Sequence, residues 1–421
     1  MRSLKWFQIV LRFKRWLISG VLGFILLITS LVVLLINADI SPLRWALSLL
    51  LAILGIYGIL ICFRKIFIKF VNVYSNGIMK KPSNVGEIRD IIYRRKILST
   101  GAKIVTIGGG TGTSTLLRGL KAYTSNITAI VTVADDGGGS GVLRNDLGML
   151  PPGDIRNCML ALAETEPVLE KLLSYRFTEG SLKGQSFGNL FLAAMNGISG
   201  SFEQAVKYMG DVLAITGRIY PVTEDNIFLL AELEDGTQIR GESRIGSHNT
   251  THPGKIKQVM LDKASVAPVK QAIDAIHEAD VIVLGPGSLY TSIIPNLLVE
   301  GVTKAISESR AIKVYACNIM TQPGETEDYT VGDHIEAIYK HVSTPIIDVC
   351  IANNGKIQTD ILKKYQEDGS NPVVIDNQAI KKLGVHLLER NLVKIRKDLA
   401  RHDSDLLAQT IMELTKIHKL T

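Results

Sequence analysis

Cysteine is scarce: Cys62, Cys158, Cys317 and Cys350 are the only four in 421 residues. They lie far apart with no CxxC or CxxH spacing, so the sequence offers neither a zinc site nor a disulfide framework, and scattered thiols suit a reducing cytosol. There is no internal repeat and no low-complexity tract, which excludes a solenoid or a disordered scaffold. Basic charge is also missing where a nucleic-acid binder would need it. The net charge of +7 is misleading, because residues 1–100 hold fifteen Lys and Arg against three Asp and Glu, a local +12, and the remainder carries −5. Nucleic-acid affinity comes largely from phosphate neutralisation by a folded basic surface, so nucleic acid is not an expected partner.

The basic excess accompanies two uncharged runs. Leu17 to Ile36 and Trp45 to Phe63 are each about as long as the roughly 20 residues that cross a bilayer core. A cleaved signal peptide would have a shorter apolar region and no second run. Arg2, Lys5, Arg12, Lys14 and Arg15 flank the first run, and Arg64, Lys65 and Lys69 the second, while the turn between offers only Asp39 and Arg44. Residues 1–70 therefore read as a transmembrane hairpin with both ends and the main domain in the cytoplasm, and Trp16 and Trp45 suit its interfaces. Residues 71–102 read as a juxtamembrane linker. Its Arg94-Arg95-Lys96 cluster suits anionic lipid head groups, or is simply a solvated charged segment.

From Lys103 the pattern alternates strand and helix. "KIVTI" leads through glycines into a helical run, and "ITAIVTVADD" from Ile127 is a second strand ending in two carboxylates. Helical patterns follow at 154–164, 189–196 and 202–209. Ile227 to Glu242 alternates around Asp235-Gly236 as a β-hairpin. "ADVIVLGPGSLYTSIIPNLLV" is another strand–glycine–helix unit, "IKVYACNIM" the next strand, and 331–341 a helix. This is the grammar of a Rossmann-like, mostly parallel α/β sheet with a hairpin excursion, placed at 103–352. Residues 353–421 read as a C-terminal α/β extension whose last helix packs on the domain or on a second subunit, so a homodimer is a candidate partner state.

Three glycine-rich strand ends carry the chemistry. Gly108, Gly109, Gly110, Thr111 and Gly112 let backbone N–H groups approach a phosphate at a helix start. Both familiar signatures, G-x-x-x-x-G-K-[ST] and G-x-G-x-x-G, break at Thr113, which weakens an NAD-dependent oxidoreductase. "ADDGGGSG" puts Asp135 and Asp136 at the next strand end, where an acid can hold a ribose hydroxyl or ligate Mg²⁺ beside a diphosphate, or form a plain Asx turn. Gly285, Gly287 and Ser288 offer a second phosphate cradle. Three such turns on one sheet edge suit a long phosphorylated ligand such as a nucleotide sugar or dinucleotide.

"TIGGGTGTSTLLRGLK", "TVADDGGGSGVLRNDLGMLPPGDIRNCMLALA", "FGNLFLAAM" and "LGPGSLYTSIIPNLLV" together resemble the bacterial gluconeogenesis factors, a family related to 2-phospho-L-lactate transferase. The resemblance runs from about Lys103 to about Ala352. It implies a Rossmann-like domain that binds a UDP-sugar such as UDP-N-acetylglucosamine and supports cell shape and wall synthesis during gluconeogenic growth. The transferase relative uses Mg²⁺, and its second-strand acid matches Asp136. The "PPGDIRN" stretch fits the gluconeogenesis factors better than the transferase, and the membrane hairpin departs from the typical soluble member.

Within this reading Gly109 to Gly112 cradle one phosphate, Gly285, Gly287 and Ser288 another, and Asp136 ligates a metal beside Asp135. Arg144 and Arg156 are candidates to clamp the diphosphate, with surface ion pairs as the competing reading. Asp154 reads as the N-cap of its own helix, and Asn189 reads a base or ribose edge or caps its helix. His248 and His252 lie among Asn, Thr and Pro, and are not expected to hold a metal. A membrane-tethered sensor of a UDP-sugar is the leading expectation. The alternative is an Mg²⁺-dependent phosphotransferase, for which no motif identifies an acceptor base.

Overall fold

A computed structural model of the chain describes residues 2–35, 42–74, 96–164, 167–247, 254–342, 344–396 and 398–418. His248, His252 and most of the juxtamembrane linker lie outside the described residues. The chain divides into two compact units, Met1–Tyr93 and Arg94–Thr421.

The first unit is a pair of helices, α1 (Arg2–Leu35) and α2 (Pro42–Tyr74), each containing a stretch long and apolar enough to cross a membrane, Ile18–Leu35 and Trp45–Lys65. Most large side chains there, such as Phe24, Leu31, Leu49 and Phe63, are exposed, as lipid contact requires. The helices approach closely because small residues face each other: a Cβ on Gly23 would stand 2.7 Å from the Gly55 carbonyl oxygen. Ser30 and Ser48, both buried, satisfy one another through hydroxyl–hydroxyl contact at 2.9 Å and bonds to each other's carbonyls. In hydrocarbon that pairing removes two otherwise unpaired donors.

The second unit is built on a seven-stranded sheet: β1 (Ile104–Gly108), β2 (Ile127–Val131), β3 (Arg218–Pro221), β7 (Val281–Leu284), β8 (Ile312–Ala316), β9 (Val349–Asn353) and β10 (His386–Arg390). Every pairing in it is parallel, in the order β10-β9-β8-β7-β1-β2-β3. β1 and β7 are buried at every residue, which is why β7 reads as an unbroken apolar run and β1 as one interrupted only by Thr106, rather than as alternating strands. Helices α3 (Gly110–Leu120), α4 (Gly138–Leu147), α5 (Gly153–Leu162), α6 (Pro167–Ser174), α7 (Phe187–Ser199) and α8 (Phe202–Leu213) connect the first strands.

The hairpin at 227–242 is present as β4 (Leu229–Leu233) and β5 (Gln238–Arg240), but β6 (Ile256–Leu261) pairs with the other side of β4 to make a three-stranded antiparallel sheet. Residues 353–421, expected as an extension packing on the domain or a partner, continue the main sheet. β9 crosses the expected boundary at 352 and β10 pairs with it in register, so the main sheet runs well past it. The antiparallel pair β11 (Val393–Arg396) and β12 (Leu399–His402) and the helix Ser404–His418 complete this unit. That last helix packs on α3, and the close approach needs Gly119, whose added Cβ would overlap the Ser404 carbonyl oxygen.

Candidate functional site

The chain moves outward from β1 through β2 to β3, then returns to the other side of β1 with β7 and continues through β8 to β10. The order reverses between β1 and β7. At such a switch point the connections leave the carboxyl edge in opposite directions and open a crevice, the usual ligand position in a parallel sheet. The turns after β1 and β7 are the two glycine turns singled out above.

The first turn enters α3 through Gly109, extended at φ −169°, and Gly110, left-handed at φ 64°. A side chain on Gly112 would overlap the Pro286 carbonyl oxygen, so its absence lets the two turns touch. Thr113 Oγ1 donates to that same oxygen at 3.4 Å, and Asn296 Nδ2 reaches the Gly108 carbonyl at 3.3 Å. Between the turns, the end of β8 and the β12 strand lies a cavity of about 360 Å³, lined among others by Thr111, Gly112, Gly287, Ser288, Asn318 and Arg401. Tyr365 also lines it, with its hydroxyl accepting from the Ala400 N–H at 3.1 Å. The size lies within the range of small-molecule sites.

The second turn is not an empty cradle. The Gly287 N–H donates to Asn318 Oδ1 at 3.2 Å, and the Gly287 carbonyl accepts from Asn318 Nδ2 at 2.9 Å. Ser288 Oγ donates to Gln322 Oε1 at 2.8 Å. The helical segment that follows starts against a carboxylate of the protein itself: Glu325, 3% exposed, accepts from the Tyr290 N–H at 3.1 Å and the Thr291 hydroxyl at 2.9 Å. The favourable anion position at that helix start is thus already filled from within.

The first turn shows the same feature. Asp154 was expected to cap its own helix. Instead Pro152 occupies that N-cap position without a side-chain cap, and the Asp154 carboxylate crosses to the Gly110 N–H under Gly109, where only a glycine leaves room for it. Burial, and then the charge of Asp135, hold the Asp154 carboxyl up at about 6, against the Gly110 bond and Arg156. Glu242 is raised further, to about 8, chiefly by burial and then by Asp135, Glu325, Asp154 and Asp136. Five carboxyl groups therefore share one electrostatic neighbourhood at the β2 end of the site.

The remaining expected residues fall around this acidic side rather than in the cavity. Asp135 Oδ1 accepts from the Gly137 N–H at 2.9 Å, an Asx turn. Asp136 Oδ1 accepts from the Ser243 N–H at 2.9 Å, and its other oxygen abuts Gly241, so it anchors the turn at 241–243. Among the described residues no three His, Cys, Asp or Glu side chains converge as a metal site. Asp136 spends one carboxylate oxygen on the turn at 241–243 and keeps Asp135 as its chain neighbour. Arg144, a candidate diphosphate clamp, is 2% exposed, lies over the Phe228 ring at 3.8 Å and bonds the Asp135 carbonyl, Asn226 and the Ile227 carbonyl. Arg156 is likewise committed, to Ser186, to Asn189 Oδ1 at 2.8 Å and to Asn157 Oδ1 at 2.7 Å. Asn189 is buried, and Ser186 is the cap of its helix. These residues form a polar frame behind the turns.

The sequence reading missed Asn318, Gln322, Glu325, Tyr365 and Arg401. Asn318 follows the end of β8, so the strand-end rule that found the glycine turns could have found it. Tyr365, on the helix Thr359–Glu367, and Arg401, on β12, carry no local signal, since only the packing of these distant elements against the crevice brings them there.

A family model described as 2-phospho-L-lactate transferase CofD matches residues 104–393. The gluconeogenesis factor of Bacillus subtilis is 45% identical over 315 residues, covering 75% of this chain and 98% of that protein. A relative from Clostridium acetobutylicum is 44% identical over 421 residues, covering 100% of this chain and 93% of its own length. A crystal structure of a UPF0052 family member from Bacillus halodurans superposes with a TM-score of 0.71 at 46% identity, covering 73% of this chain and 98% of that one. On these matches the chain belongs to the gluconeogenesis factor family.

Proposed function

We propose that this protein is a membrane-tethered cytoplasmic regulator that binds a UDP-sugar such as UDP-N-acetylglucosamine and supports cell shape and wall synthesis during gluconeogenic growth. One observation carries the ligand reading: the 360 Å³ cavity at the switch point brings the first glycine turn, the Gly287-Ser288 loop and Arg401 into one mixed polar and apolar lining. The Thr111 and Gly112 end of α3, beyond the Gly110 amide that Asp154 takes, and the Arg401 cation would meet the diphosphate, since a helix start and a guanidinium both favour phosphate oxygens. In this reading the apolar hairpin would be the tether, and its basic flanks favour a cytoplasmic ligand-binding unit.

A second reading, phosphotransfer, is favoured by the family model and by the carboxyl cluster, in which Glu242 would carry a proton at neutral pH. Calorimetric titration of the full chain in detergent micelles with UDP-N-acetylglucosamine, with NAD as control ligand, tests both. Saturable UDP-sugar binding without turnover, weakened at least tenfold in Arg401→Ala, supports the sensor. Product formation in the same cell would replace it with the enzyme, and absence of binding would remove the ligand.

A further inference from the structure

The hydrogen-bond polarity around the second turn fixes more than its shape. Glu325 receives the Tyr290 N–H, a group that can only donate, together with the Thr291 hydroxyl and Gln322 Nε2 at 2.8 Å. A carboxylate with converging donors is an acceptor, so it must face the NH₂ end of Gln322; the reverse orientation would set two acceptors against each other. That leaves Gln322 Oε1 turned toward Ser288, 2.8 Å away. An amide oxygen cannot donate, so Ser288 must give it its single hydroxyl proton. Ser288 lines the cavity, and what it has left for a ligand there is lone pairs.

We propose that Ser288 is a specificity-determining residue that accepts a hydrogen bond from an N–H or O–H group of the ligand, rather than donating to a phosphate. The inference rests on the nucleotide-sugar reading of the cavity and refines it. A fully ionised diphosphate has no proton to offer Ser288, so the phosphates lie on the α3 and Arg401 side. The Ser288 side receives a sugar hydroxyl or acetamide N–H, or the imide N–H of the base. The order Glu325, Gln322, Ser288 is a chain in which a buried charge sets the polarity of an accessible hydroxyl two bonds away.

The test compares wild type and Ser288→Ala, full chain in detergent micelles, against UDP-N-acetylglucosamine, UDP and N3-methyl-UDP, all of which carry the diphosphate. Unfolding midpoints of the two proteins control for the fold. A loss of about five- to tenfold confined to UDP-N-acetylglucosamine assigns the contact to the sugar. Equal losses for UDP-N-acetylglucosamine and UDP, with N3-methyl-UDP unaffected, assign it to the imide. Weakening of all three alike would show a phosphate contact and overturn the inference, as would no change for any. Failure of wild type to bind any of the three would instead remove the nucleotide reading, and the inference with it.

Discussion

Asp154 offers a test in which removing a charge makes the protein more stable at neutral pH. Its carboxyl lies against the first turn of α3, shut away from water and beside Asp135, and is held up at about 6 where an unfolded aspartate sits at 3.8. A carboxyl raised in the folded state binds its proton more tightly there than in the unfolded chain. Its contribution to stability is therefore complete below the unfolded value and is lost as pH rises through about 6. At about 1.4 kcal/mol per pH unit the whole difference is roughly 3 kcal/mol, of which about 2 kcal/mol falls between pH 4.5 and 7.5. Asp154→Asn keeps an oxygen to accept from the Gly110 N–H and removes the titration. The variant should gain on wild type by about 2 kcal/mol over that pH range. The three tryptophans all lie in the first 45 residues, in the hairpin unit, so tryptophan fluorescence would report on the wrong part of the molecule. Urea unfolding followed by circular dichroism, at half-unit pH steps, is the appropriate assay. Parallel stability profiles for the two proteins would refute the placement of an ionised carboxylate under the turn. The same variant should bind a diphosphate ligand more tightly than wild type at pH 7.5 and equally at pH 5, because only the ionised form repels the ligand.

Other perturbations follow from close approaches and shared donors. Gly112→Ala would force the two glycine turns apart at the Pro286 carbonyl, and should cost about 1–3 kcal/mol in urea unfolding and abolish calorimetric ligand binding. Gly119→Ala should destabilise by a similar ~1–3 kcal/mol, read as a lower melting midpoint, because the helix Ser404–His418 must lift from α3. Glu325→Gln replaces an acceptor-only carboxylate that serves Tyr290, Thr291 and Gln322. A loss of roughly 1.5–3 kcal/mol is expected, with faster amide exchange at 288–292 by mass spectrometry. In the hairpin, Gly23→Leu should abolish the tight α1–α2 crossing, read as loss of a disulfide formed between cysteines engineered at Ser30 and Ser48.

The sequence alone determined the elements whose physics is local. Two uncharged runs of bilayer length with basic flanks read as apolar helices, and the buried strands β1 and β7 announced themselves as largely apolar runs ending in glycine. The helix Val331–His341 emerged with the expected bounds because its capping box, Thr330 with Asp333, is written within four residues. The glycine turns were legible for the same reason: Gly110 needs a left-handed backbone, and Gly112 needs a missing side chain. What tertiary structure decided is which donors and charges remain available at those turns. Asp154, forty-four residues from Gly110, takes an amide of the first turn, while at the second Asn318 takes the Gly287 amide, Glu325 the Tyr290 amide and Gln322 the Ser288 hydroxyl. Arg144 and Arg156 look like phosphate ligands by residue type, yet they are spent on carbonyls and amides that only the fold brings near them. Long-range packing also returned β12 to the crevice with Arg401, and extended the sheet through β9 and β10 past the expected end of the domain. A sequence pattern specifies the backbone's shape at a site; the polarity of that site is set by whichever distant side chains fill its hydrogen bonds first, and that depends on the three-dimensional arrangement.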